Sequence, residues 1–329
     1  MIQGCETPQV ETRRRAPRVS YRAENLASVL AEPGTLAVFG FSGAAPASDD
    51  PRYLQVALDG FDETTPLELW HVDAPASSGV DGALRWSAGG GWLFAGIELD
   101  EHAHGGPCAT AKIAYEALHG FVAAHGARHV LRIWNYMGAI NHGENDAERY
   151  KLFCEGRAVG MGGFFADGFP AATAIGHRSA EQRLQVYLLA CDQAGARVEN
   201  PRQVSAWRYP RQYGRTPPSF ARAMTLPARD ALAISGTAAV VGHASAHRDD
   251  LDAQLDETLA NLDALLTSAD MRAGFDAHSP LKVYLRHRAD APRVRETLLE
   301  RLPGVPVLLL HGDICRRELL VEIDGWRYA

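Results

Sequence analysis

Paired cysteines, long apolar runs and an excess of basic residues are all missing from this 329-residue sequence. The cysteines are odd in number and never share a CxxC spacing, which argues against a disulfide framework or a zinc site and for reduced thiols. They are Cys5, Cys108, Cys154, Cys191 and Cys315. No apolar run approaches the roughly 18 residues that span a bilayer, and the N-terminus lacks the apolar stretch of a signal peptide. We therefore expect a cytoplasmic protein without a membrane partner.

The charge balance is acidic, with 33 basic against 40 acidic residues and a net charge of −7. Beyond Arg13–Arg15 there is no basic stripe, so the sequence does not favour nucleic acid as a partner. An apolar content of 46% is that of an ordinary globular protein, and the length exceeds one comfortable core. Two domains are therefore the expectation.

The sequence pattern of the first half predicts a poorly ordered N-terminal segment over residues 1–18. Short strands, a helix and a further strand are predicted after it. The helix covers Thr110 to Ala124, with Ile113, Leu118 and Phe121 along one face, and the strand begins at His129. The earlier strands are Leu36–Phe39, Leu54–Leu58, Leu67–Val72, Leu84–Ser87 and Trp92–Leu99.

The second half shows the same order. A helix from Asp249 to Ser268 carries leucines at helical spacing and precedes a strand at Leu281–Arg286. Strands are predicted before it at Val204–Tyr209, Ala231–Ser235 and Ala238–Gly242. When the two helices are aligned, VLRIWNY falls against LKVYLRH, and LFAGIELDEHAH against LAISGTAAVVGHASAH. The pattern indicates a duplicated α+β unit, with domains at 19–185 and 186–329; two unrelated α+β domains are the alternative.

Polar side chains crowd the stretch from Arg132 to Arg157, RIWNYMGAINHGENDAERYKLFCEGR. A core strand has little use for so many hydrogen-bonding groups. A pocket for a small anion does, because Arg forks and Tyr hydroxyls bind carboxylates with directed hydrogen bonds. Tyr150 and Arg157 are the candidates here, although seven residues of helix would also place them on one solvent-facing surface.

Glu322 lies in a predicted strand, Leu319–Ile323, near the C-terminus. Strand alternation puts it on one face with Asp324 and opposite Val321 and Ile323. If that face lines a pocket, desolvation raises the pKa of the carboxyl and keeps it protonated for use as an acid. The alternative is an edge strand with Glu322 in solvent.

Two further patterns have simpler explanations. The pairs His243 with His247 and His102 with His104 lack a helical HExxH signature and evident carboxylate partners, so loop roles are favoured over a metal site. The glycines of GRAVGMGGFF lack the Lys-Ser/Thr ending of a phosphate loop and favour close backbone packing.

Taken in order, RIWNY, ERYKLFCEGR, ISGTA, LKVYLR and GDICRRELLVEIDG resemble the chorismatases, over about residue 30 to the end. These enzymes remove pyruvate from chorismate and are similar to two fused RidA-like (YjgF) units. The resemblance therefore implies an α+β fold of two such units, each a mixed sheet packed against helices. It also implies an enzyme that needs no cofactor or metal.

The resemblance assigns roles to individual residues. Glu322 takes the place of the acid that protonates the enolpyruvyl methylene. Cys315 takes the place of a cysteine that accompanies formation of 3-hydroxybenzoate, and Ala238 matches a second position at which products differ. Tyr150 and Arg157 match substrate-binding residues, and Tyr209 with Arg222 completes that set, with Tyr213 as an alternative to Tyr209.

The expected reaction is conversion of chorismate to pyruvate and 3-hydroxybenzoate, with 4-hydroxybenzoate as a further possible product, serving secondary metabolism. One alternative is hydrolysis to 3,4-dihydroxycyclohexa-1,5-diene carboxylate. Another, of a different class, is a RidA-like imine deaminase or binding protein. Because fused repeats can satisfy internally the interfaces that single RidA units satisfy by trimerising, the chain is expected to be a monomer.

Overall fold

The computed structural model describes residues 13–41, 45–62, 65–179 and 182–329. The described chain forms three consecutive units, each built around its own sheet. The first unit consists of β1 (Arg18–Arg22), α1 (Leu26–Leu30), β2 (Thr35–Phe41), β3 (Tyr53–Val56), β4 (Asp59–Gly60) and β5 (Leu67–His71).

The second unit is longer and carries two full helices. It consists of β6 (Ser77–Asp81), β7 (Leu84–Gly89), β8 (Trp92–Asp100), α2 (Pro107–His125), β9 (His129–Gly138), α3 (Arg149–Met161), β10 (Ala171–His177) and β11 (Arg183–Cys191).

The third unit has the same plan with three added short strands. It consists of β12 (Ala196–Val198), β13 (Ala223–Thr225), β14 (Ala231–Ala238), β15 (Val240–Val241), β16 (Ala244–Ser245), α4 (Leu251–Ser268), β17 (Leu281–Leu285), α5 (Ala291–Arg301), β18 (Val307–His311), β19 (Asp313–Ile314) and β20 (Val321–Tyr328). Short 3-10 turns lie at Asn145–Ala147, Ala206–Arg208, Arg211–Tyr213 and Arg288–Asp290.

The four central strands have the same order in every unit: β3-β2-β5-β1, β10-β9-β11-β8 and β18-β17-β20-β14. The first pair in each is parallel and the other neighbours are antiparallel. The predicted α+β fold and the predicted equivalence of the second and third units are thereby confirmed. The first unit is a smaller third copy that the sequence did not indicate.

The three sheets enclose one central core, and the helices lie outside it. Inward-facing aromatic rings from all three sheets meet there; they include Phe39, Trp70, Trp134, Tyr187, Tyr284 and Trp326. Separate outer cores join α2 and α3 to the second sheet and α4 and α5 to the third. Each sheet is therefore apolar on both faces, which explains the nearly continuous apolar runs of its inner strands.

Helices α2 and α3 pack unusually closely through glycines. An added side chain on Gly156 would lie 2.7 Å from the Cys108 carbonyl carbon, and one on Gly160 would lie 2.9 Å from Tyr115 Cβ. The absence of side chains at these two positions lets the helix backbones approach each other. This fixes the position of α3, which carries Tyr150 and Arg157.

Neighbouring units exchange short strands at their edges. Strand β4 of the first unit pairs with β18 of the third, and β19 of the third pairs with β10 of the second. The pair β19–β10 brings the loop after β19, with Cys315, against the second unit. This junction between the second and third units positions the candidate site.

Three local predictions are corrected. The boundary predicted after residue 185 falls inside β11, all of which pairs with β8, so the second unit ends at Cys191. The strand predicted at Val204–Tyr209 is an irregular segment with one 3-10 turn. Residues 1–12 of the predicted N-terminal segment lie outside the described residues. The rest of it is held against the folded chain by hydrogen bonds: Ala16 N donates to Asp230 Oδ2 at 3.1 Å, and Trp92 Nε1 donates to the Arg15 carbonyl at 2.9 Å.

Candidate active site

A cavity of about 210 Å³ lies between the second and third units. One wall is helix α3 of the second unit, and another is the β12–β13 connection, residues 199–222. Strands β14 and β20 and the loop after β19 complete the cavity. Five of the residues predicted from the sequence line this cavity, together with Gly236: Tyr150, Tyr209, Arg222, Cys315 and Glu322.

Glu322 lies on β20 with its side chain directed between the sheets. Its neighbours Val321 and Ile323 pack in the outer core of the third unit, so the predicted alternation is confirmed. The Glu322 residue is 5% exposed. Burial, followed by the charge of Asp324, raises the pKa of its carboxyl to about 8, against the lowering effect of Arg132, Arg222 and Arg316. Glu322 therefore keeps its proton to higher pH than an ordinary carboxyl does.

The strand opposite Glu322 carries small residues. Ala238 of β14 is its partner in the register, and the β14–β20 pairing is irregular between Ile234 and Thr237. Gly236 lies at this irregularity and lines the cavity, as does Ala238. Small residues here leave room for the Glu322 carboxyl and for a ligand beside it.

Cys315 lies in the loop that follows β19 and is partly buried. Burial raises the pKa of its thiol above the usual value, and the nearby Glu322 charge adds to this effect. Cys315 is therefore a thiol and not a thiolate at neutral pH, which suits an apolar wall or a weak donor better than a nucleophile.

Helix α3 carries the two residues predicted from the ERYKLFCEGR motif, but only Tyr150 lines the cavity. Arg157 is 3% exposed and lies further along the helix, with its guanidinium carbon 5.1 Å from the centre of the Tyr115 ring. Its Nε and Nη2 atoms have no hydrogen-bond partner. The structure thus places Arg157 outside the cavity lining, with unused donors.

Tyr209 and Arg222 are in direct contact: Arg222 Nη2 donates to the Tyr209 hydroxyl at 2.6 Å and to the Val204 carbonyl at 2.9 Å. Arg222 Nε is buried and has no hydrogen-bond partner. Tyr213, the alternative to Tyr209, also lines the cavity, and the two rings are 5.3 Å apart. Both tyrosines thus belong to the same wall.

Three cationic residues that the sequence did not single out also line the cavity: Lys151, Arg316 and Arg317. The Arg316 guanidinium lies 4.0 Å from the centre of the Tyr213 ring and donates to the His243 carbonyl at 2.9 Å. The signal for Arg316 was its place next to Cys315 in GDICRR. With Arg222, these residues outnumber the three acidic residues of the lining, Glu148, Glu318 and Glu322, which favours an anionic ligand.

Among the described residues, no group of three or more His, Cys, Asp or Glu side chains is placed to hold a metal ion. The His243 ring faces the Tyr213 hydroxyl at 3.4 Å, and His104 Nδ1 faces the Asp100 carbonyl at 2.7 Å. Within the same part of the chain, no helix has both the length and the apolar surface to cross a membrane.

Comparisons with known proteins agree on one family. Residues 68–190 match the family model for the N-terminal part of FkbO/Hyg5-like chorismatases. A 3-hydroxybenzoate synthase from Streptomyces hygroscopicus is 36% identical over 276 residues, which is 78% of this chain and 80% of the relative. A chorismatase from Streptomyces rapamycinicus is 35% identical over 304 residues, 87% of this chain and 89% of the relative.

A chorismatase crystal structure at 1.08 Å resolution superposes with a TM-score of 0.85 and 29% identity, covering 96% of this chain and 99% of that one. The fold and the cavity thus define an α+β enzyme with a buried acid. The chain belongs to the chorismatase family, as the sequence motifs predicted.

Proposed function

We propose that this protein converts chorismate to pyruvate and 3-hydroxybenzoate. The observation that carries the proposal is the buried carboxyl of Glu322, with a raised pKa, in a cavity that Arg222, Arg316 and Lys151 also line. The similarity to a 3-hydroxybenzoate synthase supports the choice of product.

Chorismate is a dianion with a ring carboxylate and an enolpyruvyl carboxylate, so two cationic groups are needed to bind it. Arg222, Arg316 and Lys151 all line the cavity. Arg222 has an unused buried Nε donor, which a carboxylate oxygen would satisfy. A charge-assisted hydrogen bond of this kind contributes about 1.5–3 kcal/mol. Tyr150 and Tyr209 complete the set. Arg157 does not line the cavity and acts on it only through its charge, which lowers the pKa of the Tyr150 hydroxyl against the larger effect of burial.

The first chemical step is a proton transfer from Glu322 to the terminal methylene carbon of the enolpyruvyl group. The enol ether becomes an oxocarbenium ion, and the carboxylate left on Glu322 stabilises that cation. A carboxyl with an ordinary pKa would be ionised at pH 7 and would have no proton to give. Burial of Glu322 is thus what makes the step possible.

The second step determines the product. In the proposed route the ring hydroxyl next to the ether attacks the ring carbon that carries the ether, and the bond from that carbon to the ether oxygen breaks, so that pyruvate leaves. The hydroxyl proton passes to the Glu322 carboxylate, which restores the acid. The resulting arene oxide opens, and the proton lost from the ring carbon ends on the phenol oxygen of 3-hydroxybenzoate. No water is consumed. We infer that Cys315 borders the ring and keeps water away from it.

The test is incubation of the purified protein with chorismate, with pyruvate measured by a coupled assay and the aromatic product by chromatography. Pyruvate and 3-hydroxybenzoate are expected in equal amounts. The dihydroxy-diene acid as main product would instead show hydrolysis, and absence of pyruvate would contradict the proposal. Glu322→Gln serves as the control for catalysis by a contaminant.

A further inference from the structure

A second buried carboxylate lies two residues beyond Glu322 on the same face of β20. Asp324 is fully buried, and its Oδ2 accepts hydrogen bonds from the second and third units. The donors are Thr173 Oγ1 at 2.7 Å, Trp134 Nε1 at 3.0 Å, the Tyr284 hydroxyl at 3.0 Å and Arg132 Nη2 at 3.1 Å. Burying a charged group costs desolvation free energy, which apolar side chains at the same positions would not cost.

Thr173 connects this network to the cavity. Its hydroxyl donates to Asp324 and accepts from the backbone N–H of Gly236, at 3.0 Å. Gly236 adjoins the Glu322 carboxyl, so strands β10, β14 and β20 are held together directly behind the acid. The network itself does not line the cavity.

We propose, building on the proposed function, that Asp324 is a positioning residue whose buried charge keeps Glu322 protonated and whose hydrogen bonds hold β20 in register. Asp324 shares a strand face with Glu322, and Arg132 opposes it across a fully buried ion pair. The two charges act on Glu322 with opposite signs, because a nearby anion disfavours a second anion and a nearby cation favours one.

The other groups that face Glu322 come from every element packed around it. The cations Arg222 and Arg316 lower the pKa of its carboxyl, as Arg132 does, and Asp324 raises it. Tyr150 and Cys315 also interact with Glu322. Glu148, Glu318, Lys151 and Arg317 line the same cavity, but Asp324 is the one anion among the groups with the largest effect on the Glu322 carboxyl. Its removal leaves burial alone to oppose the three arginines.

The experiment compares Asp324→Asn with Arg132→Gln. Glu322 is active as the protonated form, so activity falls as pH rises through its pKa. Asp324→Asn is expected to move that fall to lower pH by about one unit or more, and Arg132→Gln to move it to higher pH. Asp263→Asn on the exposed face of α4 is the matched control and leaves the profile unchanged. Shifts of both variants in one direction, or no shift, would overturn the proposal.

A second readout separates this inference from the proposed function. The infrared carbonyl band of protonated Glu322 is assigned by its loss in Glu322→Gln, and its titration is followed in the full-length protein without substrate. A lower titration midpoint in Asp324→Asn supports the inference even if Glu322→Gln keeps its activity. If the titration midpoint of Glu322 is unchanged in Asp324→Asn while Glu322→Gln is inactive, the inference about Asp324 is contradicted and the proposed function is not. If Asp324→Asn does not fold, the upward shift in Arg132→Gln decides.

Discussion

Gly236 leaves open the space that the Glu322 carboxyl occupies. A methyl group on Gly236 would lie 2.8 Å from Glu322 Cδ and 3.4 Å from Thr173 Cγ2. The backbone of Gly236 is outside the left-handed region, so an alanine would fit the strand itself. The conflict is therefore with the acid alone.

Gly236→Ala is expected to fold normally and to lose roughly 10- to 100-fold in kcat, because the added methyl displaces the carboxyl from the reacting carbon. Steady-state pyruvate release measures this. Gly120→Ala on α2, where a new side chain meets nothing within 4 Å, is the control and keeps full activity. Equal activity of the two variants would show that the Glu322 carboxyl lies elsewhere during the reaction.

Glu322→Gln keeps the shape of the side chain and removes its proton supply. We expect pyruvate release to fall at least about 10²-fold, the lower range for a general acid. Circular dichroism and thermal unfolding should match the unsubstituted protein, because no hydrogen bond to Glu322 is found in the described part of the chain. More than about a tenth of the original rate would contradict the acid role.

The pH dependence follows from the same carboxyl. Its pKa is raised to about 8, so the catalytic form is present below that pH and is lost above it. We expect kcat to be level near neutral pH and then to fall by about tenfold for each unit above 8. A profile that instead rises between pH 7 and 9 would indicate a general base.

Cys315→Ala tests whether Cys315 influences which of the two ring products forms. Removal of the thiol makes room beside the ring, so water can compete with the ring hydroxyl. The share of the dihydroxy-diene acid is expected to rise at the expense of 3-hydroxybenzoate, as measured by chromatography. Cys108→Ala, whose thiol lies outside the cavity, is the control. An unchanged product ratio in Cys315→Ala would exclude Cys315 from product selection.

Arg222→Lys tests substrate binding. A lysine cannot donate to Tyr209 and Val204 and also offer a side-on contact to a carboxylate. Loss of one charge-assisted hydrogen bond is expected to raise KM about 10- to 100-fold with a smaller effect on kcat. The exposed Arg208, in the same β12–β13 connection, provides the control Arg208→Lys. A change confined to kcat would contradict a role of Arg222 in substrate binding and indicate an effect on Glu322 instead.

The strand face of Glu322 was predictable from the sequence because strand alternation depends on local order alone. It placed Glu322 and Asp324 on one face, and both side chains are buried between the sheets. The equivalence of the second and third units was also visible, because α2 and α4 have clear helical periodicity.

Other features depend on contacts between distant segments. Among its described residues the first unit has one helix, of five residues, so its likeness to the other units is apparent only in the sheet order. Val204 and Trp207 suggested a strand because they are apolar, yet they belong to a connection that covers the cavity. Whether Arg157 or Arg316 reaches that cavity depends on how α3 and this connection pack, which no local pattern encodes.

Gln185 of β11 occupies in the second unit the position that Glu322 occupies in the third: it lies opposite Tyr136, as Glu322 lies opposite Tyr284. Its amide is fully used, donating to the Gln55 carbonyl at 2.8 Å and accepting from Ala57 N at 3.0 Å. The same strand position thus joins two units in one copy and lines the cavity in another. Joining the copies in a single polypeptide let each position specialise without altering its counterparts, a freedom that an assembly of identical subunits does not have.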